Sequence, residues 1–495
     1  MVEPANMIRG LVRRTDPDRP SGRFLRTALD KVFPDHWSFL LGEIALYSFV
    51  VLVVTGVFLA LLFDASGEMT IYDGSYGPLQ GEQVTRAYAS VLALSFDVRA
   101  GLLVRQTHHW AALVFTAAIV VHACRVFFTG AFRRPRRLNW AIGVSLLGLS
   151  LANGWFGLSL PGDLLSGTGL RIGWSTALAV PVVGPALAFL VFAGEFPAEA
   201  MLNRLFWIHV LILPLAIGGL LSAHMVLVIR HTHTQFAGGR RREVNVVGDR
   251  AWPAYAAKTI GLFLLVACAL VALGGLVQVN PIWLYGPFDP AAVTVPAQPD
   301  WYLGWIEGSL RVFPTLSVSA FGYELPSPFF SGVLLPLAVF AVLFSWPWIE
   351  ARVTGDRGLH HLLDRPRDNP MRTALGVGSL AFLTLLLGAG SHDLQGQRLG
   401  VGVDTMTVAY RVLLVTVPPA AALVAWRACR DLRCPIDRQP VATTPVAPRA
   451  VPTMADSSLV ATCEPAPRRM LTVVLTLAGA ALSWLVHRRR RTVTR

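Results

Sequence analysis

Long apolar runs alternate along the chain with short polar segments that are rich in arginine and proline. A helix that crosses a bilayer needs about 20 mostly apolar residues. Eight runs have about this length, at residues 40–63, 107–129, 141–160, 207–229, 257–277, 329–350, 372–389 and 406–427. The pattern therefore predicts an all-α membrane protein with eight transmembrane helices.

Two further apolar segments bear on this count. Residues 175–194 contain Pro181 and Pro185, and proline interrupts a helix. We therefore expect short helices packed at the outer surface there. Residues 470–487 suit a ninth span at the C-terminus and a helix lying in the membrane interface equally well.

The charge distribution gives these helices an orientation. With 54% hydrophobic and 15% charged residues, the composition is far from that of a soluble protein. The net charge of +13 falls in basic clusters beside the apolar runs, without the aromatic-interleaved basic face that would indicate nucleic acid as a partner. Positively charged loops favour the cytoplasmic side. These clusters lie at residues 11–26, 133–137, 239–250, 351–372 and 427–433. Both ends of the eight-helix core are therefore predicted to be cytoplasmic.

The cysteines limit the possible metal chemistry. The five cysteines form no CxxC or CxxCH pattern, so neither a zinc site, a disulfide framework nor covalently attached haem is indicated. We expect free thiols. The start of the chain lacks a continuous apolar stretch, so we also expect no cleaved signal peptide.

Four histidines lie inside the second and fourth predicted spans. His108 and His122 are 14 residues apart, and His209 and His224 are 15 apart. At about 100° per residue, 14 residues return a side chain to within about 40° of its starting direction, whereas 13 residues leave it about 140° away. His108, and not His109, therefore shares a helix face with His122. The 15-residue step leaves the second pair about 60° from a common face.

Depth in the membrane pairs His108 with His209 and His122 with His224. A single membrane histidine often only forms a hydrogen bond across a helix contact, but four at matched depths favour a shared role. Zinc and copper sites usually recruit additional ligands. Two axial histidines suffice for a haem. The pattern predicts a four-helix bundle that holds two non-covalent b-type haems.

Paired glycines in the first and third predicted spans support this interpretation. Gly42 and Gly56 are 14 residues apart, as are Gly143 and Gly157, which repeats the histidine spacing. Routine packing of small residues between helices explains any one of these glycines. It does not predict the shared spacing, which instead favours space for a haem at each of two depths.

Two arginines flank the histidines of the second span. Arg105 precedes His108 by three residues, and Arg125 follows His122 by three. A cation at this depth needs an anionic partner or water, and haem propionates would provide the anion. Snorkelling of both side chains to lipid headgroups is an equally suitable alternative.

These features resemble the cytochrome b family of quinol:cytochrome c reductase complexes. The resemblance rests on the four histidines, the paired glycines and "QPDWY" (298–302). The stretches "RQTHHWAALVFTAAIVVHACRVFFTGAFRRPRRLNW", "LLSGTGLR", "HTQF" and "NPIWLYGPFDP" resemble the long actinobacterial form in particular. The match covers roughly residues 20 to 430.

The resemblance implies a function. Quinol, in this group menaquinol, would be oxidised at an outer site, and electrons would cross the membrane through two b haems to an inner quinone site, coupled to proton translocation. Expected partners are a Rieske iron-sulfur protein and a cytochrome c subunit, in a dimer linked to a haem-copper oxidase. The chain would lie in the bacterial plasma membrane.

The resemblance also implies site residues. Asp300 and Tyr302 would act at the outer site, where Asp300 replaces the glutamate of most relatives. His231 and Lys258 would lie at the inner quinone site. Thr259 stands where relatives carry an acid, so proton delivery at that position does not carry over.

The prediction divides the chain into six parts. These are a cytoplasmic basic N-terminal segment (1–36), the di-haem bundle (37–232), a cytoplasmic basic loop (233–256), a C-terminal cytochrome b domain with the Asp300 loop (257–428), a disordered cytoplasmic tail (429–469) and a possible further transmembrane or interfacial helix (470–495).

Two other classes remain open from the residues alone. A generic di-haem anchor of a quinone-linked dehydrogenase would explain the histidines, but not four further helices. A transporter with histidine proton relays would need polar residues in the last four predicted spans, which offer almost none.

Overall fold

The computed structural model describes residues 29–292, 298–320 and 322–433. Its helices, in chain order, are α1 (Trp37–Ala60), α2 (Arg86–Phe96), α3 (Gly101–Phe128), α4 (Arg137–Leu158), α5 (Leu164–Leu178), α6 (Gly184–Phe192), α7 (Met201–Arg230), α8 (Ala251–Leu276), α9 (Ile282–Tyr285), α10 (Gly304–Val312), α11 (Phe329–Thr354), α12 (Pro370–Ala389), α13 (His392–Leu399) and α14 (Val403–Asp431).

Eight of these helices are long and apolar enough to cross a membrane, namely α1, α3, α4, α7, α8, α11, α12 and α14. This confirms the predicted all-α membrane fold. Observed ends differ from the predicted ones by several residues, because polar turns continue some helices beyond their apolar runs. Helix α3 begins at Gly101, and Gln106 in its second turn is satisfied by two hydrogen bonds with the backbone of Val279, at 2.9 and 2.8 Å.

Residues 175–194 form parts of two short helices, as the prolines predicted. Asp163 caps α5 by accepting a hydrogen bond from the backbone N–H of Ser166 at 3.3 Å. The chain then turns through Pro181 and Val182, where Val182 has a left-handed φ of 67°. Pro185 stands in the first turn of α6, where its missing N–H costs no helical hydrogen bond.

Short two-stranded ribbons connect the loops. They pair β1 (Val32–Phe33) with β5 (Asp249–Arg250), β2 (Met69–Ile71) with β3 (Gln83–Thr85), β4 (Gln235–Phe236) with β8 (Leu362–Leu363), and β6 (Val318–Ala320) with β7 (Tyr323–Leu325). The β4–β8 pair is parallel and the other three are antiparallel. The β1–β5 ribbon fixes the segment before α1 against the segment before α8.

The packing of the spans can be described by the helices that each one contacts. Helix α3 packs on α1 and α8, and α4 packs on α7 and α11. Helix α12 packs on α14 and on α10. We call the end of the bundle that carries His108 the His108 end, and the opposite end the His122 end. Residues 1–28 of the predicted N-terminal segment, the tail from residue 434 and the possible ninth helix lie outside the described residues.

A buried ion cluster joins helix α12 to helix α11 and to the loop between α3 and α4. The Arg372 side chain of α12 is only 4% exposed. Its guanidinium contacts Glu350 of α11 and donates to Asp364 at 2.8 Å, and Asp364 also accepts from Arg133 at 2.8 Å. A buried charge is tolerated only when it is paired. The cluster therefore fixes the loops between α3 and α4 and between α11 and α12 against helix α12.

Removal of this guanidinium should destabilise the protein. We expect Arg372→Met to lower the free energy of unfolding by about 3–5 kcal/mol, because Glu350 loses its cation and Asp364 keeps only Arg133. Thermal unfolding of the purified complex in detergent measures the effect. Arg86→Met is the matched control, since Arg86 is half exposed in its pairs with Asp64 and Glu68. Equal melting temperatures for the two variants would contradict the argument.

Candidate functional site

At the His108 end, α3 and α7 bring two imidazoles together. The ring centres of His108 and His209 are 6.3 Å apart. His108 Nδ1 forms a hydrogen bond with the Thr55 hydroxyl, and His209 Nδ1 donates to the carbonyl oxygen of Asn153, both at 2.9 Å. These contacts orient the rings and leave each Nε2 free, an arrangement typical of metal-binding histidines. A histidine nitrogen binds a metal at about 2 Å, so this gap can hold one iron between the rings.

The 15-residue spacing in α7 has a structural explanation. Residues Ile208–Ile212, which include His209, form a π turn. A π turn takes up one more residue than an α-helical turn does. A regular helix would leave the side chains of His209 and His224 about 60° apart around its axis, and the π turn reduces this angle. The 15-residue spacing therefore gives nearly the same direction as a 14-residue spacing in a regular helix. Pro214 follows directly, and its missing N–H favours the irregular hydrogen bonding at this point.

Glycines lie directly against both histidines of this pair. A Cβ atom added to Gly56 would lie 3.2 Å from His108 Cε1, and one added to Gly157 would lie 2.5 Å from His209 Cε1. Both contacts are closer than ordinary van der Waals packing. Glycine therefore allows α1 and α4 to approach the rings where a larger residue would displace them.

The His122 end repeats the arrangement. A Cβ on Gly42 would lie 3.3 Å from His122 Cε1, and one on Gly143 would lie 3.9 Å from His224 Cε1. The Nδ1 atoms of His122 and His224 are buried and have no hydrogen-bond partner among the described residues. Each of the four glycines singled out in the sequence thus faces one of the four histidines.

Arg105 and Arg125 are buried and only partly satisfied. Arg105 donates to the carbonyl oxygen of Asn280 at 3.5 Å, and its guanidinium lies 5.7 Å from the ring centre of Trp283. Arg125 lies 4.2 Å from the ring centre of Phe39. In both, Nε and Nη2 are buried without an acceptor among the described residues. A guanidinium in this state needs an anion.

These residues fit a haem at each end. Paired imidazoles with glycines against them provide axial ligands and space, and the unsatisfied guanidiniums suit carboxylate substituents. Within the described residues there is no cluster of three or more histidine, cysteine, aspartate or glutamate side chains that could hold a bare metal ion. Haem is therefore the metal group that this donor set accommodates.

A cavity of about 270 Å³ is lined by both rings of the His108–His209 pair and by Gly56 and Gly157. Asp300, which is 8% exposed, lies in its wall. The Asp300 carboxylate accepts a hydrogen bond from the Tyr302 hydroxyl at 2.9 Å and contacts His109 Nε2 at 2.8 and 3.0 Å. Asn280 donates to the same carboxylate at 3.4 Å. The cavity therefore holds an acid whose orientation three side chains fix.

Tyr302 remains a hydrogen-bond donor over the physiological pH range. Burial, together with the neighbouring Asp300 carboxylate, raises the pKa of Tyr302 well above its ordinary value. A Cβ on Gly154 would lie 2.5 Å from the Tyr302 hydroxyl oxygen, so α4 leaves space for this ring only because residue 154 is glycine.

Sequence reasoning did not identify His109 as part of this site. The helical phase predicted different directions for His108 and His109, and in the structure the two rings contact different partners. The contact between His109 and Asp300 joins residues 191 positions apart, and no local pattern predicts it. The signal that could have found it is a second histidine in an apolar run, which itself needs a buried partner.

The residues predicted for the inner quinone site do not form one cluster. Lys258 is half exposed and pairs with Asp249 at 2.7 Å and Asp35 at 3.2 Å. His231 lies at the end of α7, where its carbonyl oxygen accepts a hydrogen bond from Lys31 at 2.8 Å and its ring Nδ1 is buried without a partner among the described residues. Burial lowers the pKa of His231, so the neutral ring is favoured.

Comparison with known proteins gives consistent matches. The family model described as "Cytochrome b(N-terminal)/b6/petB" matches residues 113–287. The cytochrome bc1 complex cytochrome b subunit of Corynebacterium efficiens is 46% identical over 409 residues, which cover 83% of this chain and 75% of that protein. The corresponding subunit of Mycobacterium tuberculosis is 47% identical over 410 residues, covering 83% and 74%. That of Streptomyces coelicolor is 46% identical over 407 residues, covering 81% and 74%.

A solved structure shares the fold. The chain of a structure titled "Hyperthermophilic respiratory Complex III" aligns with a TM-score of 0.60 and 18% identity, covering 85% of this chain and 100% of that one. The spans and the match together define a multi-pass membrane protein with the cytochrome b fold. The chain belongs to the family of cytochrome b subunits of the cytochrome bc1 complex. Membership of a cytochrome b family implies haem cofactors and a role in respiratory electron transport.

The glycine contacts lead to a test of haem binding. We expect Gly157→Ala to lose about half of the b-type haem, because the new methyl group would displace His209, which the sequence predicts to be a ligand of one of two haems. A pyridine haemochrome count on the purified complex measures the loss. Gly169→Ala in α5 is the control, since a Cβ there meets nothing within 4 Å. Full haem content in Gly157→Ala would contradict the proposed steric role.

Proposed function

We propose that this chain is the di-haem subunit of a respiratory quinol:cytochrome c reductase. It would oxidise quinol, specifically menaquinol, at the His108 end and reduce quinone at the His122 end. The observation that carries this proposal is the cavity that holds Asp300 and Tyr302 beside the His108–His209 pair. The actinobacterial relatives at 46–47% identity support the complex to which the chain is assigned.

Two b-type haems would occupy the two histidine pairs. His108 and His209 would hold one, and His122 and His224 the other. A haem held by each pair of imidazoles would supply one-electron transfer. Arg105 and Arg125 would neutralise the haem carboxylates, which accounts for guanidinium atoms that no described residue satisfies.

Asp300 would accept a proton from the quinol hydroxyl. Its carboxylate lies in the wall of the cavity and is therefore accessible to a ligand there. Tyr302 donates to one carboxylate oxygen, and its raised pKa keeps the phenol protonated while it does so. His109 holds the carboxylate from the opposite side. Asp300 has a short side chain, so contact with quinol through one water is part of the proposal.

The sidedness follows from charge. Basic segments follow α3, α7, α11 and α14 at the His122 end, and under the positive-inside rule this supports the proposal that the end is cytoplasmic. Protons would then be released outside at Asp300 and taken up inside. Both ends of the eight-helix core would be cytoplasmic.

The proposed activity requires partner proteins. The sequence carries no CxxCH motif and no cysteine pattern for an iron-sulfur cluster. A Rieske iron-sulfur protein and a cytochrome c subunit would therefore complete the electron path, in a dimer associated with a haem-copper oxidase. A generic di-haem anchor would not account for the Asp300 cavity, and a transporter would not account for the family.

A reduced-minus-oxidised spectrum tests the ligand assignment. We expect two b haems in the wild-type complex, loss of one in His108→Ala, and retention of both in His109→Ala, because only His108 faces His209. The two variants are matched, since each removes one imidazole from adjacent positions of α3. Haem loss in His109→Ala alone would show that the ligand pairing is wrong.

The role of Asp300 has a separate test. We expect Asp300→Asn to lower quinol:cytochrome c turnover by about 100-fold, a typical effect of losing a general base. The haem spectrum should remain unchanged, because Asp300 contacts no proposed ligand. Asp289→Asn serves as the control, since Asp289 is an exposed loop acid. Turnover near wild type in Asp300→Asn would overturn the assignment.

A further inference from the structure

A partly buried carboxyl group lies between two spans at the His122 end. Glu43, in the first turns of α1, accepts hydrogen bonds from the hydroxyl groups of Thr259 at 2.5 Å, Tyr47 at 3.3 Å and Tyr255. Tyr255 and Thr259 belong to α8, so the cluster bridges two spans. Glu43 forms no ion pair with any described residue, although other acids in the spans do, such as Glu350 with Arg372.

An ionisable group within a membrane span is costly and usually functional. Hydroxyl and amide groups could join α1 to α8 without this cost, so helix packing alone does not account for a carboxyl group. The three hydroxyl donors can serve either protonation state, because a hydroxyl group both donates and accepts. Glu43 therefore lies in a setting in which a proton can be gained or lost without leaving a polar atom unpaired.

The position of Glu43 connects the proposed haem site to the cytoplasmic surface. The preceding residue is Gly42, which faces His122. On the other side, the Tyr255 ring stacks on Phe33 with ring centres 4.1 Å apart, and Phe33 lies 4.5 Å from the His233 ring. The β1 segment therefore covers this cluster at the end of the bundle where basic residues concentrate.

We propose that Glu43 is the proton-donating residue of the inner quinone site, an inference that rests on the proposed function. A quinone that receives two electrons, released by quinol at the outer site, must form two new O–H bonds. The O–H bond of the Glu43 carboxylic acid breaks and one of these bonds forms. The resulting carboxylate takes a proton from cytoplasmic water, and water supplies the second proton. Lys258, turned outward to Asp249 and Asp35, does not donate in this scheme.

The hydroxyl and titratable groups around Glu43 determine how pH is expected to affect quinone reduction. Tyr47 faces it from its own helix, and Tyr255 and Thr259 face it from α8. His36 lies in the segment before α1, where burial and the nearby Arg125 lower the pKa of His36. Glu43 is the only carboxyl group in this described cluster. Among the groups of this cluster, Glu43 is therefore the one expected to pass a proton to quinone.

The test follows haem reoxidation in the purified complex. In an Asp300→Asn background, in which quinol oxidation at the outer site is expected to be about 100-fold slower, reduced complex is mixed with a short-chain naphthoquinone and the haem absorbance is recorded from about pH 5 to 9. We expect Glu43→Gln to slow reoxidation by about 100-fold and to abolish its dependence on pH. Glu68→Gln, an exposed acid at the other end, should leave both unchanged.

Two further variants separate proton donation from packing. Glu43→Asp keeps the acid and should retain the pH dependence. The double variant Glu43→Gln/Thr259→Asp moves the acid across the hydrogen bond to α8 and should restore much of the rate. Wild-type reoxidation in Glu43→Gln, or no recovery in the double variant at equal haem content, would overturn the proposal. Absence of haem or of quinol oxidation in the wild-type complex would instead reject the proposed function.

Discussion

Placement of two histidine pairs at two depths inside an apolar bundle is the constraint on which the rest of the structure depends. The ring centres of His108 and His209 are 6.3 Å apart, and this contact fixes the rotation of α3 relative to α7 at this depth. The π turn at Ile208–Ile212 is the local irregularity that brings His209 and His224 toward one face. The glycines of α1 and α4 follow from the same requirement, since any larger side chain would occupy the space beside the rings.

The structural sites and the proposed functional sites differ in whether their buried charged side chains have a complete set of partners. Arg372 is completely paired, and its role is to join helices. Arg105 and Arg125 keep buried donor atoms that have no partner in the part of the chain that the structure describes, as expected of residues that would bind an anionic group. Asp300 is held by neighbours but lies in a cavity wall, so its carboxylate is both oriented and accessible. Burial alone therefore does not identify a site, whereas burial with an incomplete set of partners does.

Much of the fold could be predicted because lipid enforces a simple rule. Backbone polar groups in a bilayer must be satisfied within the helix, so each span appears as a continuous apolar run. The same rule explains why Pro181 correctly indicated short helices in place of a span. Periodicity also separated His108 from His109, because both are in a regular part of α3. Helix ends were less accurate, since polar turns such as that of Gln106 extend a helix wherever tertiary hydrogen bonds are available.

By itself the sequence determined the number of spans, the helix face that His108 and His122 share, and the spacing of the glycines in the first and third predicted spans. These properties repeat with the period of the helix, so they are local. The tertiary structure alone decided which distant groups meet: His109 with Asp300, Glu43 with Thr259, and Lys258 with Asp249 instead of the bundle interior. Such contacts depend on the relative rotation and depth of helices far apart in the chain. No short-range pattern encodes that rotation, because it results from packing of all the helices together.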